Sequence, residues 1–194
     1  MQRIVAATKT LLLVAIGYAT LSGCGGMSPT LFVHPEFNFG FLERVAVVPF
    51  ENLTQEQGAG ARISRFFIAE LLATESFDVV EPGEVSRVLQ DYGTLRTGDL
   101  TQQQIIDAGT ALKVQGLFLG TINETSSLRS GSTTKHVVTI TTRLVETETG
   151  STVWSATHTE GSGSFAGSIL GTGSKSQSEV MRRCIRNVLS TLVD

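Results

Sequence analysis

The chain has 194 residues, of which 41% are hydrophobic and 17% charged, with 20 Gly, 4 Pro and 2 Cys. This length and apolar content fit one globular domain and exclude a collagen-like or disordered chain. The formal net charge of −3 argues against nucleic acid as the main partner, because phosphate binding requires a dense basic stripe.

The N-terminus has the pattern of a secretory signal peptide. Arg3 and Lys9 lie in a stretch without acidic residues, and residues 11–21 form a short apolar run. That run is too short for a transmembrane helix, which requires about 20 apolar residues. It ends in Leu-Ser-Gly-Cys at Cys24, which resembles the bacterial lipobox. The pattern predicts cleavage after residue 23 and acylation of the Cys24 thiol. A secreted protein with a cysteine near its cleavage site by chance is the alternative.

Acylation of Cys24 would hold a soluble domain on a membrane, since each buried acyl CH₂ contributes about 0.8 kcal/mol. Gly25 after the cysteine resembles the Gram-negative signal for the outer membrane. The expected location is the periplasmic face of that membrane. Residues 24–42 show no sustained period and are predicted to be a lipidated tether whose aromatic side chains settle onto the domain. Residues 43–194 are predicted to form that domain.

Hydrophobic patterning predicts an α/β fold after the tether. Short β-branched or alternating runs predict strands at residues 44–50, 77–81, 114–122, 136–146 and 152–159. Wide apolar stripes and capping signals predict helices at residues 61–74, from Pro82, from Gln102 to about Leu112, and, after a cap at Ser176, along an apolar stripe that runs from Val180 to Leu192. The order is β-α-β-α-α-β-β-β-α, which predicts a mixed sheet flanked by helices, with a hairpin at one side.

Three stretches resemble one known family: residues 44–54 (RVAVVPFENLT), 108–122 (AGTALKVQGLFLGTI) and 143–155 (RLVETETGSTVWS). They are similar to the bacterial envelope lipoproteins of the group that includes the curli secretion protein CsgG and the penicillin-binding-protein activator LpoB. The folded domain of this group is similar to the N-terminal domain of TolB. The resemblance implies a lipid-anchored module of the cell envelope that binds an envelope protein partner or associates with itself.

Two departures from this group limit the functions that it implies. Residues 124–135 and 161–175 correspond to the segments that form membrane-crossing hairpins in the curli channel, and each is shorter than the roughly 20 residues that such a hairpin needs. An oligomeric secretion or export component stays as the alternative function. LpoB-like proteins also carry a long spacer, whereas residues 24–42 span at most about 70 Å. A synthase in the inner membrane would therefore have to approach the outer membrane to be reached by this protein.

A Gly- and Ser-rich segment lies between the last predicted strand and the last helix. Lys175 and Ser176 resemble the end of a phosphate-binding P-loop, but Ser174 occupies the position where that motif requires glycine. A flexible loop is the general interpretation of this segment. Three apolar residues within it are candidate contacts for a protein partner: Phe165, Ile169 and Leu170.

The remaining reactive side chains do not predict an enzyme. His34, His136 and His158 lack metal-ligand spacing and complete no catalytic triad. Cys184 lies on the apolar stripe of the last helix and is predicted to be a buried thiol, and Trp154 is predicted to be a core residue. No catalytic residue, metal, cofactor or small-molecule substrate is therefore expected, and Cys24 is the one residue assigned a chemical role, as acyl acceptor.

Overall fold

The computed structural model describes residues 28–92, 100–130, 133–162 and 175–193. Seven strands form one mixed sheet in the order β1-β7-β6-β5-β2-β4, with β3 paired to a further part of β5. The strands are β1 (Thr30–Val33), β2 (Arg44–Val47), β3 (Glu51–Asn52), β4 (Asp78–Val79), β5 (Gly116–Ser130), β6 (Thr133–Glu146) and β7 (Thr152–Gly161). The helices are α1 (Ala59–Leu72), α2 (Pro82–Gln90), α3 (Gln102–Leu112) and α4 (Gln177–Leu189).

The predicted fold class is confirmed: a single α/β domain has one mixed sheet flanked by helices. The predicted order of elements is present, with two additional strands, β1 and β3. Helix α3 begins and ends at the predicted residues. Its start is fixed because the Thr101 hydroxyl accepts from the Gln104 N–H while the Gln104 side chain accepts from the Thr101 N–H. At α4, the Ser176 hydroxyl accepts from the Glu179 N–H at 3.3 Å.

The segment predicted to be an irregular tether contains regular structure. Thr30–Val33 forms β1, antiparallel to β7, and Phe39–Phe41 forms a 3₁₀ turn. Phe37 and Phe39 pack against the core, as expected of the tether's aromatics. Phe32 does not, since 48% of it is exposed. The sheet therefore begins N-terminal to residue 43.

Strands β5 and β6 are longer than predicted, and much of segment 124–135 belongs to them. Their pairing runs without a gap in the described residues from Gly116↔Glu146 to Ser130↔Thr133, except for an irregularity between Ile122 and Glu124. Beyond that point the strands carry mostly Ser, Thr and charged residues. The alternation of apolar and polar residues that marks a half-buried strand is absent there, although threonine itself favours the pleated sheet.

The core lies on both faces of the sheet. Helices α1 and α4 cover one face around Trp154, Phe67 and Phe118, all of which are fully buried. Helices α2 and α3 cover part of the other face, where β5 contributes Leu117 and Leu119. These contacts make β5 a central strand that is apolar on both sides, and they confirm that Trp154 is a core residue.

Gly120 shows how closely β5 approaches its neighbours. A Cβ atom at this position would lie 2.3 Å from two ring carbons of Phe50, whose ring packs at a tilt of 48° against Phe67 with centroids 5.1 Å apart. Phe50 is also held by its backbone N–H, which donates to the Ser64 hydroxyl at 2.8 Å. Only glycine leaves room for this ring in its observed place.

Candidate protein-binding edge

Strand β1 forms one outer edge of the sheet and is apolar. Leu31, Phe32 and Val33 are 48%, 48% and 43% exposed. Within the described chain, β1 pairs on one side with β7, from Thr30↔Thr157 to Val33↔Trp154. Edge strands of soluble proteins usually carry charged residues or proline, which discourage pairing with another chain. No charged residue lies within Thr30–Val33, so this edge is suited to receive another polypeptide.

The side chains of β1 point to both faces of the sheet. Leu31 and Val33 lie opposite Ala156 and Trp154 and therefore share the face that α4 covers. Phe32 lies opposite Ser155 and points to the other face. A strand added at this edge would thus find apolar contacts on both of its faces.

Rows of threonine continue from β1 on the Phe32 side of the sheet. The Thr141 and Thr157 hydroxyls lie 2.9 Å apart, as do those of Thr139 and Thr159. The Thr141 hydroxyl also donates to Asn123 Oδ1 at 3.0 Å. These side chains are half-buried or exposed. They form a hydroxyl-lined surface next to the apolar edge, on the face of the sheet to which Phe32 points.

A buried polar cluster joins β7 to α4. Asn187 Nδ2 lies 3.0 Å from both His158 Nε2 and Glu160 Oε2, and Arg183 reaches Glu160 Oε1 at 3.6 Å. His158 is only 5% exposed, and its Nδ1 has no hydrogen-bond partner in the structure. The arrangement connects two elements of the core and gives a substrate little access to the imidazole.

Cys184 is the buried thiol that the sequence predicts. Its Sγ donates to the His158 carbonyl at 3.4 Å, and burial raises the pKa of the thiol to about 12. At neutral pH the thiolate fraction is on the order of 1 in 10⁵, so this group is a poor nucleophile. Its role is packing.

Arg182 connects α4 to α1 through an ion pair. Arg182 Nε lies 2.8 Å from Glu70 Oε1, and the Glu70 side chain is only 10% exposed. This ion pair fastens α4 to α1, which the sequence did not predict. Among the described residues there is no group of three or more His, Cys, Asp or Glu placed to hold a metal ion.

The residues to which the sequence assigns a functional role lie outside the described part of the chain: Cys24, Phe165, Ile169 and Leu170. Their roles stay predictions. Sequence reasoning missed the β1 edge, although the run Thr-Leu-Phe-Val between Pro29 and Pro35 has the composition of a short strand. No helix in the ranges that the structure describes is long and apolar enough to cross a membrane.

Comparison with solved structures identifies proteins of similar fold. The PelC dodecamer from Paraburkholderia phytofirmans is 19% identical, with a TM-score of 0.59 over 86% of this chain and 96% of that chain. Lipoprotein GNA1162 from Neisseria meningitidis is 16% identical, with a TM-score of 0.57 over 77% of this chain and 97% of that chain. At these identities the likeness concerns the fold alone. No curated protein sequence matches this chain.

Comparison with protein families assigns this chain to a family by its sequence. Residues 35–159 match the family described as peptidoglycan-synthase activator LpoB. This match supports the LpoB part of the resemblance, and neither it nor the similar structures named above support the curli secretion part. The match begins just after β1 and ends within β7, so it covers most of the sheet. The chain therefore belongs to the family of the peptidoglycan-synthase activator LpoB.

Proposed function

We propose that this protein is a lipid-anchored periplasmic lipoprotein of the bacterial outer membrane that binds a peptidoglycan synthase. The observation that carries the proposal is the exposed apolar edge strand β1 on a domain of a synthase-activator family. The protein acts by binding its partner and not by catalysis. In this proposal residues 1–23 are the signal peptide, residues 24–29 the free tether, and β1 the first element of the domain.

The lipid anchor is supported by the lipobox-like sequence at Cys24. A structure of the same fold, GNA1162, is also described as a lipoprotein. The pairing of Thr30–Val33 with β7 shortens the free tether, because only residues 24–29 separate the anchor from the sheet. That segment spans at most about 22 Å. A synthase must therefore extend its own periplasmic part toward the outer membrane.

A protein partner is supported by the chemistry of the β1 edge. An incoming strand would satisfy the outer N–H and C=O groups of β1 and bury Leu31, Phe32 and Val33. The threonine rows beside Phe32 offer hydroxyl groups to the same partner. A second copy of this chain would make the same type of contact and is the competing occupant of this edge.

The experiment has two parts, both on the full chain expressed in a Gram-negative cell. Mass spectrometry of the membrane-extracted protein should show residues 24–194 with attached acyl chains, whereas Cys24→Ser should leave an unacylated chain. A purified peptidoglycan synthase should then polymerise glycan faster when the acylated protein is added. A mass equal to that of the bare polypeptide refutes the lipid anchor. An unchanged rate of glycan polymerisation refutes the synthase as partner.

A further inference from the structure

An open groove of about 630 Å³ lies at the end of the sheet where β2 and β4 begin. Its apolar lining comes from three parts of the chain: Phe39 in the 3₁₀ turn, Phe77 just before β4, and Leu192 just after α4. All three side chains are partly buried and pack against the core that α1 and α4 cover. The Phe77 ring meets the ring of Phe118 edge-on, with centroids 6.2 Å apart. The floor of the groove is therefore an apolar surface supported by the core beneath it.

The rim of the groove is acidic. Glu43, Glu75 and Asp78 belong to it, and the described residues that line the groove include no Lys, Arg or His. Glu43 and Glu75 are exposed, and neither side chain forms an ion pair within the part of the chain that the structure describes. Asp78 Oδ2 lies 3.3 Å from Arg44 Nε, but the Asp78 side chain is 71% exposed, so its charge stays open to solvent. This distribution of charge favours a positively charged occupant.

The rim is suited to a polypeptide and not to a single ion. Its three carboxylates do not form a metal site, because the described residues contain no group of three or more His, Cys, Asp or Glu placed to hold one ion. The charges instead surround apolar side chains. Such a groove fits a segment in which Lys or Arg flanks a large apolar residue. A membrane surface does not fit, because anionic headgroups would be repelled by the rim.

Glu75 occupies a backbone conformation that favours glycine. Its φ is 54°, in the turn after α1, and among the described residues other than glycine only Lys113, at 56°, also has a positive φ. The left-handed region is unfavourable for a residue with a Cβ atom, so glycine would suit position 75 better. A glutamate there places a carboxylate on the rim at a cost in stability, which is typical of functional positions.

We propose that this groove binds a basic, apolar segment of a partner protein. One large apolar side chain of the segment enters the groove, and its Lys or Arg neighbours contact the carboxylates of the rim. The groove is separate from the β1 edge, because β4 lies at the opposite border of the sheet from β1. The inference therefore goes beyond the proposed function and does not depend on the lipid anchor.

A basic partner fits the groove better than a second copy of this chain. The whole protein has a net charge of −3, so two copies repel each other at long range. A partner with an excess of Lys and Arg is attracted both by the rim and by the protein as a whole.

The test measures fluorescence anisotropy of a labelled peptide with the full chain, extracted from membranes in the uncharged detergent dodecyl maltoside. The probe is the fluorescein-labelled peptide GRLKFRG, and micelles without protein give the background. The peptide GELEFEG reverses the charges of the probe, and GRSKSRG removes its apolar side chains. We expect the probe to bind and both control peptides to bind roughly ten-fold more weakly or not at all.

Variants of Glu75 locate the binding site. Glu75→Gln removes only the charge and should raise Kd about two- to five-fold, the effect of one exposed ion pair. Its matched control, Glu84→Gln on α2, changes the same charge on the other face of the sheet and should leave Kd unchanged. Glu75→Gly should weaken binding to a similar extent without lowering the melting temperature, because glycine tolerates the left-handed conformation. Lys113→Gly makes the same backbone change elsewhere and should retain binding.

Other outcomes overturn the inference. No binding of GRLKFRG, or equal binding of GELEFEG, refutes a basic segment as the occupant. An unchanged Kd in both Glu75 variants refutes the groove as the site, and an equal loss in Glu84→Gln reduces the binding to general charge attraction. Self-association of the full chain that Glu75→Gln abolishes shows that a second copy fills the groove. The variant Leu31→Lys/Val33→Lys should still bind the peptide, so a failure of the synthase proposal at the β1 edge is told apart from a failure of this inference.

Discussion

Placing charges on the β1 edge should weaken partner binding without unfolding the domain. Leu31 and Val33 are 48% and 43% exposed, so about half of each side chain remains to be buried by a partner. Full burial of such a side chain contributes about 1.5–3 kcal/mol, which leaves about 1 kcal/mol for each residue. The double variant Leu31→Lys/Val33→Lys should therefore lose about 2 kcal/mol of binding free energy, a roughly 30-fold rise in Kd.

The matched control is Leu72→Lys, which changes a side chain of similar exposure on α1. Biolayer interferometry against the purified periplasmic part of a peptidoglycan synthase measures Kd for the unaltered chain and both variants. Because the other half of Leu31 and Val33 is already buried in the domain, the β1 variant should also lose about 2 kcal/mol of folding free energy, a fall of about 4–8 °C in melting temperature that leaves the domain folded, and Leu72→Lys about half of that. An unchanged Kd for the β1 variant, or an equal loss in Leu72→Lys, would refute the assignment of this edge.

Three further predictions concern the stability of the domain. Gly120→Ala should lower the free energy of unfolding, measured by urea titration, by about 1–3 kcal/mol because its Cβ meets the Phe50 ring. The control is Gly83→Ala, which has open space around it, and its free energy of unfolding should stay within about 1 kcal/mol of that of the unaltered protein. Arg182→Ala should lower the free energy of unfolding by about 1–2 kcal/mol, because the mutation leaves the buried Glu70 carboxylate without its partner. The loss is no larger because Arg182 itself is half exposed. When Glu70 is already Gln, the same mutation should cost less than about 0.5 kcal/mol. Burial raises the pKa of Cys184 from 9.0 to about 12, so the stability that the neutral thiol gives the folded domain is complete below pH 9 and is lost as pH rises toward 12. Over that interval the free energy of unfolding should therefore decline less in Cys184→Ala than in the unaltered protein. Equal declines would contradict the burial argument.

The elements that the sequence predicts well are those with local signals. Helix α3 has both halves of its capping box in four adjacent residues, and the β6–β7 hairpin has alternating strands around the turn at residues 147–150. Such signals depend on residues near one another in the chain. They can therefore be recognised without knowing which elements meet in space.

The elements that the sequence missed depend on distant partners. Strand β1 has four residues and becomes a strand because β7 offers it an edge. The parts of β5 and β6 that pair from Ser127↔His136 to Arg129↔Thr134 lie outside the core, so these residues show no apolar alternation. The candidate edge was missed for a related reason: Leu31, Phe32 and Val33 are apolar, and their exposure follows from the position of β1 at the border of the sheet.

Photo-crosslinking in living cells tests the central claim most directly. A photoreactive amino acid replacing Leu31 in the full chain, with Leu72 as the matched position, reports what covers the β1 edge. We predict a crosslinked product from position 31 that contains a peptidoglycan synthase and is lost when Cys24→Ser removes the anchor. A product that contains only a second copy of this chain, or identical products from both positions, would contradict the account.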